Sequence, residues 1–266
     1  MTGTPPRGPD ARVAVTGLRV SFGGREVVAI DDLRVGPAEI VGLAGESGSG
    51  KSMTTLAILG LAGTVGASVR GSVTLDGREL TTLRQEQMRA IRGRRIAAIF
   101  QSPSTAFSPV HRVGTVMTRA LRLHGATPAQ ATEQAAQALR QVLLRPELMC
   151  RYPSQLSGGQ LQRVAIALAL ALRADVLLAD EPTSALDVTV QAEVLDLLRE
   201  LREAAGMSVL FISHDLAVVA ELCDRVAVMR RGRIVEQGPA ARVLSAPEDP
   251  YTAELLESVP RLGGRR

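Results

Sequence analysis

The sequence predicts an α/β fold in which a mostly parallel sheet is covered by helices on both faces and a helical lobe is inserted between two halves of the core. Three observations predict it. An apolar strand (EIVGLA, residues 39–44) runs into a glycine-rich turn and then a helix opening near Lys51. From Gly159 onward, strongly apolar strands alternate with helices. Between these halves, TPAQATEQAAQALRQVLL (residues 127–144) is polar and alanine-rich, which suits a separate lobe better than another layer of the sheet.

Taken in order, residues 1–10 (MTGTPPRGPD) read as a frayed leader. Short strand-like pieces, RVAVTGLRV and EVVAI, come before the glycine-rich turn. SVTLDG and RRIAAIF read as a Gly-bounded strand pair over residues 72–100, separated by a short polar helix in TTLRQEQMRAIRG. The 127–144 segment is expected to start its helix at Pro128, where a missing backbone donor does no harm. Then come a helix from about Gly159 to Leu172, a strand at 176–179, a helix from Val188 to about Ala205, a strand at 208–213 and a helix over Leu216 to Leu222. RVAVM and GRIVEQG form a hairpin-like end, and a terminal helix lies around ELLESV.

Composition narrows the function classes. With 266 residues and 45% hydrophobic content the chain can bury a substantial core, which argues against disorder and against a small disulfide-stapled fold. Aromatics reach 2%, with no tryptophan, too few for the stacking platforms of a single-stranded nucleic-acid groove. The formal charge is +4, yet of the 31 basic side chains only Lys51 is lysine. Cys150 and Cys223 have no metal-like or redox-like spacing, read as small buried or half-buried residues, and go with a reducing, cytosolic setting. The uncharged run from Ser52 to Val69 is diluted with Gly, Ser and Thr, and VAIALALAL is nine residues long, so neither is expected to cross a bilayer.

Residues 45–52 read GESGSGKS, a match to G-x-x-x-x-G-K-[S/T] in its required place between an apolar strand and a helix. Glycines let successive N–H groups turn inward around phosphate oxygens, and the helix start adds its donors and positive dipole end. Lys51 can reach β- and γ-phosphates, and the Ser52 hydroxyl can ligate Mg²⁺. VLLADEP ends an apolar strand in two carboxylates: Asp180 on the metal side and Glu181 placed to polarise an attacking water. In LSGGQLQR, residues 156–163, Ser157 caps a helix whose first turn exposes glycine N–H groups, a second place to hold phosphate.

This run, with GESGSGKS before it and VLLADEPTSALD after it, resembles the signature of ABC transporter ATP-binding subunits. The resemblance covers residues 12 to about 260. It implies a P-loop NTPase core of the ABC ATPase type, with an N-terminal antiparallel β subdomain and an inserted helical subdomain. The implied boundaries are residues 11–250 for the ATP-binding domain, about 102–173 for the insertion, and 251–266 for a short tail. It also implies ATP and Mg²⁺ as cofactors. Nucleotide contacts would come from Phe22, Gly45, Glu46, Ser47, Gly48, Ser49, Gly50, Lys51, Ser52 and Met53, and metal contacts from Ser52, Gln101 and Asp180. Lys51, Glu181, Gln101 and His214 would do the chemistry, with His214 the switch histidine at the γ-phosphate. Phe22 would pack on adenine, where the family more often has tyrosine; a core phenylalanine is the competing reading. Asp187 resembles the aspartate that communicates across the dimer, compatible with capping the helix at Val188. His111 and His124 match nothing catalytic.

The resemblance also supplies partners. ATP on one subunit would be closed over by Ser157, Gly158, Gly159 and Gln160 of a second in a head-to-tail dimer, attached to two transmembrane permeases at the cytoplasmic face of the membrane. The loop from Gln101 to Arg112 would be the coupling surface. MRAIRGRRIAAIFQSPSTAFSPVHRVG, YPSQLSGGQLQRVAIALAL and DPYTAELLESVP are similar to the oligopeptide, dipeptide and nickel branch of the importers, which work with a solute-binding protein. The implied activity is ATP hydrolysis driving import of di- or oligopeptides, with nickel or a metal chelate as the alternative cargo. A DNA-associated ABC ATPase is the rival from another class. No heptad run or basic stripe favours it, and no nucleic-acid partner is expected.

Overall fold

The computed structural model describes residues 11–102 and 107–258; the expected leader, the middle of the loop after Gln101 and the tail beyond residue 258 lie outside the described residues. In chain order the elements are β1 (Val13–Phe22), β2 (Arg25–Val35), β3 (Ile40–Ala44), α1 (Lys51–Ile58), β4 (Ala67–Leu75), β5 (Arg78–Glu79), α2 (Gln85–Ile91) and β6 (Ile96–Ile99). There follow α3 (Val113–Leu123), α4 (Pro128–Gln141), α5 (Gly158–Ala171), β7 (Val176–Asp180), α6 (Val188–Ala205), β8 (Ser208–Ser213), α7 (Leu216–Leu222), β9 (Arg225–Arg230), β10 (Arg233–Pro239), α8 (Ala240–Ser245) and α9 (Pro250–Glu257). The chain divides into two compact units, residues 1–88 with 208–266, and residues 89–207.

The first unit holds an antiparallel sheet in the order β2-β1-β4-β5. Alternation along β1 buries Val13 and Val15, then Leu18 and Val20, and the change of parity falls at a register shift against β4 between Thr16 and Arg19. A second set of strands runs β10-β9-β3-β8, with β3 parallel to both β8 and β9, and β10 antiparallel to β9. All five residues of β3 and all six of β8 are buried, so these strands read as continuous apolar runs. Leu43 and Phe211 are completely buried, each worth roughly 1.5–3 kcal/mol of transfer free energy. The start of β3 is pinned: Ile40 N–H donates to Asp224 Oδ2 at 2.8 Å, and the Ser208 hydroxyl donates to the Gly36 carbonyl at 2.7 Å. A strand fixed at one end delivers the loop at its other end to a defined place.

In the second unit β6 and β7 pair in parallel, with Arg95 and Asp175 forming an ion pair just before the two strands. Helix α4 starts at Pro128 behind a capping box in which Thr127 accepts from the Gln130 amide and Gln130 accepts from the Thr127 amide. It buries Ala131, Ala135, Ala138 and Leu139, small residues that admit close neighbours. Arg163 of α5 donates to the carbonyls of Val142 and Leu143, both at 3.4 Å, tying α5 to the end of α4. Helix α3, which the sequence reading does not anticipate, buries Val113, Met117 and Leu121, a stripe of spacing four.

One expectation changes. SVTLDG and RRIAAIF are not partners of each other: β4 pairs with β1 and β5, while β6 pairs with β7. Buried and apolar, β6 belongs with a parallel neighbour, whereas the half-polar β4 suits an antiparallel sheet with one wetter face.

Candidate functional site

The phosphate loop connects β3 to α1. Gly45 leaves the strand with φ 147°, and a Cβ there would lie 2.1 Å from the Met229 carbonyl oxygen, so the turn is open only to glycine. Lys51 is 6% exposed, and its Nζ donates to the carbonyls of Gly45 at 2.7 Å and Glu46 at 2.8 Å. The Ser49 amide donates to the Glu46 carbonyl at 3.2 Å, and the Ser49 carbonyl accepts from Gly232 N–H at 2.8 Å. The ammonium is thus turned into the loop, onto the Gly45 and Glu46 carbonyls. Glu46, Ser47, Gly48 and Ser52 are exposed, and α1 opens on Gly50 without a side-chain cap, an arrangement that offers helix-start donors around Ser52 and Met53 to an anion.

Two more expected residues lie in this unit. Phe22 ends β1 with 50% of its surface exposed, which a core ring would not show; its ring edge faces Gly66. His214 is exposed at the end of β8. The next residue, Asp215, accepts from the amides of Ala217 at 2.9 Å and Val218 at 3.4 Å to cap α7, and its own N–H donates to the Ser213 hydroxyl at 3.0 Å. His214 therefore projects from a backbone held on both sides.

The second unit carries the carboxylates. Asp180 is 3% exposed at the end of β7, and Glu181 turns out of the strand with φ 49°, a left-handed conformation uncommon for a side chain of this kind. Gln101 Nε2 donates to Glu181 Oε2 at 2.9 Å, so a glutamine 80 residues away is brought onto the carboxylate assigned to the water. The Ser184 hydroxyl closes the turn by donating to the Glu181 carbonyl at 3.1 Å. Asp187 caps α6, accepting from Val190 N–H at 3.1 Å.

Ser157 caps α5 through a full capping box: it accepts from the Gln160 amide at 3.2 Å, and Gln160 Oε1 accepts from the Ser157 amide at 3.0 Å. The Gln160 side chain is thereby engaged in the cap, while Ser157 and Gly158 stay exposed. A Cβ on Gly159 would lie 3.1 Å from the Ala185 carbonyl oxygen, a close approach between the signature and the loop after β7. Sequence reasoning misses Gln162. Fully buried on α5, it donates through Nε2 to the Pro182 carbonyl at 2.9 Å and so bolts the signature helix to the residue following Glu181. It also misses Tyr251, whose hydroxyl accepts from the Glu46 amide of the phosphate loop at 3.2 Å. Cys223 is buried, its thiol pushed up by burial and by Asp224, whereas Cys150 is exposed and not buried or half-buried as expected.

Each unit by itself carries a hard oxygen donor of the kind that magnesium takes alongside phosphate oxygens and retained waters: the Ser52 hydroxyl in the first and the buried Asp180 carboxylate in the second. No helix among the described residues is long and apolar enough to cross a membrane.

A family model described as ABC transporter matches residues 29–184, and a shorter AAA-domain model matches residues 151–220. A protein of Brucella melitensis, provisionally named a peptide import ATP-binding protein, is 46% identical over 263 residues, covering 94% of this chain and 78% of its own. The glutathione import ATP-binding protein GsiA of Salmonella typhimurium is 46% identical over 268 residues, 96% of this chain and 43% of its own. Among solved structures, the ATP-binding cassette MJ0796, as a dimer in a post-hydrolysis state with ADP and Pi, aligns with a TM-score of 0.78 and 28% identity over 86% of this chain and 98% of that one. The cbiO1 protein of Clostridium perfringens, part of the ABC transporter complex cbiONQ, aligns with a TM-score of 0.74 and 25% identity over 95% of this chain and 97% of that one.

Proposed function

The chain belongs to the ABC transporter family of ATP-binding cassettes, and on that premise we propose that it is the ATP-binding and ATP-hydrolysing subunit of a peptide importer. The observation that carries the nucleotide reading is the closed loop around Lys51, with its ammonium on the Gly45 and Glu46 carbonyls. Peptide cargo is supported by the names of the relatives, glutathione being itself a small peptide, in preference to a metal chelate.

In this reading the β- and γ-phosphates of ATP displace the two carbonyls from Lys51, and amides of residues 47–53 close around the phosphate oxygens. Phe22 stacks on the adenine. Ser52 and Asp180, with Gln101, would hold magnesium, which would supply charge neutralisation at the transferring phosphoryl group. Glu181 polarises the attacking water, Gln101 fixes the Glu181 carboxylate, and His214 donates to the γ-phosphate. Ser157, Gly158, Gly159 and Gln160 serve the nucleotide of a second ATP-binding subunit, and closure of the pair excludes water and drives attached permeases. Residues 11–250 form the cassette, 102–173 its helical insertion, and a solute-binding protein delivers the cargo. The subunit sits peripherally at the cytoplasmic face of the membrane.

In the assembled transporter, Glu181→Gln keeps the Gln101 contact, retains ATP binding and loses roughly 10²–10⁴-fold in turnover. Hydrolysis at the wild-type rate in that variant removes Glu181 from its role.

A further inference from the structure

The segment DPYTAELL at the end of the chain has no part in the scheme above, yet its tyrosine touches the phosphate loop. Tyr251 is 2% exposed, and its hydroxyl accepts from the amide of Glu46 at 3.2 Å across 205 residues of sequence. The same residue's carbonyl accepts from Lys51 Nζ at 2.8 Å and from the Ser49 amide at 3.2 Å. Glu46 is therefore gripped from two sides: its carbonyl by the lysine inside the loop, its N–H by the tyrosine outside.

The tyrosine is in turn held tightly. The Arg230 guanidinium, at the end of β9, stacks 4.4 Å from the ring centroid. Asp249 caps α9 by accepting from the Tyr251 amide at 2.8 Å, with Pro250 at the first helical position. One carboxylate on β10 anchors the whole turn: Glu236 accepts from the Glu248 amide at 2.9 Å and from the Asp249 amide at 3.1 Å. Arg230 directly follows Met229, whose carbonyl is the atom that forbids a side chain at Gly45. The strand end that shapes the start of the loop thus also seats the ring that holds its second residue.

We propose that Tyr251 is a positioning residue for ATP: α9 braces the phosphate loop through the Tyr251 hydroxyl, which fixes the Glu46 peptide and so the place where the Lys51 ammonium waits. The proposal rests on the reading of this loop as the ATP site. Exposed Glu46 can hand its N–H to water when the hydroxyl is removed, so folding should barely notice; water, however, is not attached to α9, and the loop loses its register.

The test uses the full chain, with trinitrophenyl-ATP and Mg²⁺ for binding, steady-state hydrolysis in the assembled transporter, hydrogen exchange at the Glu46 amide, and thermal melting. Tyr251→Phe keeps the ring under Arg230 and removes only the acceptor. The expected result is an unchanged melting midpoint and kcat, a roughly three- to tenfold rise in the dissociation constant and in KM for ATP, the size set by one neutral hydrogen bond, and faster exchange at Glu46. Glu236→Ala, which releases the turn without touching Tyr251, should raise KM in the same direction, and the double variant should add nothing further. Unchanged KM and Glu46 exchange in Tyr251→Phe overturn the proposal, as does a fall in kcat or melting midpoint that accounts for the whole effect. If Tyr251→Phe does not fold, an unchanged KM in Glu236→Ala overturns it instead. Failure of the wild-type chain to bind the nucleotide at all would instead refute the ATP reading itself.

Discussion

Glycine at position 181 should make the protein catalytically dead and yet more stable than alanine there. Glu181 has φ 49°, and the left-handed region costs a residue with a Cβ about 1–2 kcal/mol. Glu181→Ala keeps that strain and gives up the hydrogen bond from Gln101, worth about 0.5 kcal/mol at an exposed site. Glu181→Gly gives up the same bond but relieves the strain, offset by about 0.4–1 kcal/mol of extra freedom in the unfolded chain. At the midpoints of these ranges the difference favours glycine by about 0.8 kcal/mol, inverting the usual order, in which alanine leads by about the same amount. For a chain of this size that is a melting midpoint roughly 1–4 °C higher for Glu181→Gly than for Glu181→Ala. Differential scanning calorimetry of the two variants measures it, and ATP hydrolysis in the assembled transporter should be lost in both by roughly 10²–10⁴-fold. An alanine variant that melts at or above the glycine variant refutes the reasoning, because the left-handed turn would then not be imposed on residue 181 by its surroundings.

Gln162→Leu should cost little stability, about 0–2 kcal/mol: the buried Pro182 carbonyl loses its donor, but the Gln162 oxygen, which has no hydrogen-bond partner among the described residues, is removed at the same time. Its turnover should nevertheless fall several-fold with KM for ATP unchanged, since Pro182 follows Glu181; equal kcat values in steady-state assays would count against that link. For pH dependence, Glu79 and Glu236 matter: burial raises both carboxyls, but hydrogen bonds outweigh it, from Ser72, Thr81 and the Thr81 and Val73 amides to Glu79, and from the Glu248 and Asp249 amides, with the charge of Arg242, to Glu236. Both therefore end below the ordinary value of 4.5, so their stabilisation is complete above that pH and is lost as pH falls through the lower folded values. The melting difference between wild type and Glu236→Ala should be constant above about pH 5.5 and shrink below pH 4.5; a difference that grows on acidification contradicts the sign.

Elements with local chemical punctuation are legible in the sequence. Pro128 behind a Thr127 capping box, Asp187 before α6 and the glycine-rich turn before Lys51 each announce a helix start through a residue whose backbone or side chain suits only that place. Helix α3 is not announced, because Arg112 provides no cap and a glycine and two threonines dilute its stripe; only Val113, Met117 and Leu121 at spacing four could have marked it. The site divides the same way. Lys51, Ser157 and Asp180 lie in contiguous motifs, since phosphate is held by consecutive backbone groups and strand ends. Gln162 with Pro182, and Tyr251 with Glu46, are pairings of residues far apart in sequence, and a buried hydrogen bond between distant partners leaves no spacing to read.

The solitary lysine has a consequence for how this molecule meets reagents. Apart from the chain's own amino terminus, the 266 residues hold one primary amine, that of Lys51, a residue 6% exposed at the floor of the phosphate loop. A lysine-directed protease has one bond to cut, at the first residue of α1, and an acylating probe has one internal target. Amide-forming labelling or cleavage at Lys51 of the folded chain thus reports on loops that are empty and open, with no other amine side chain contributing to the signal.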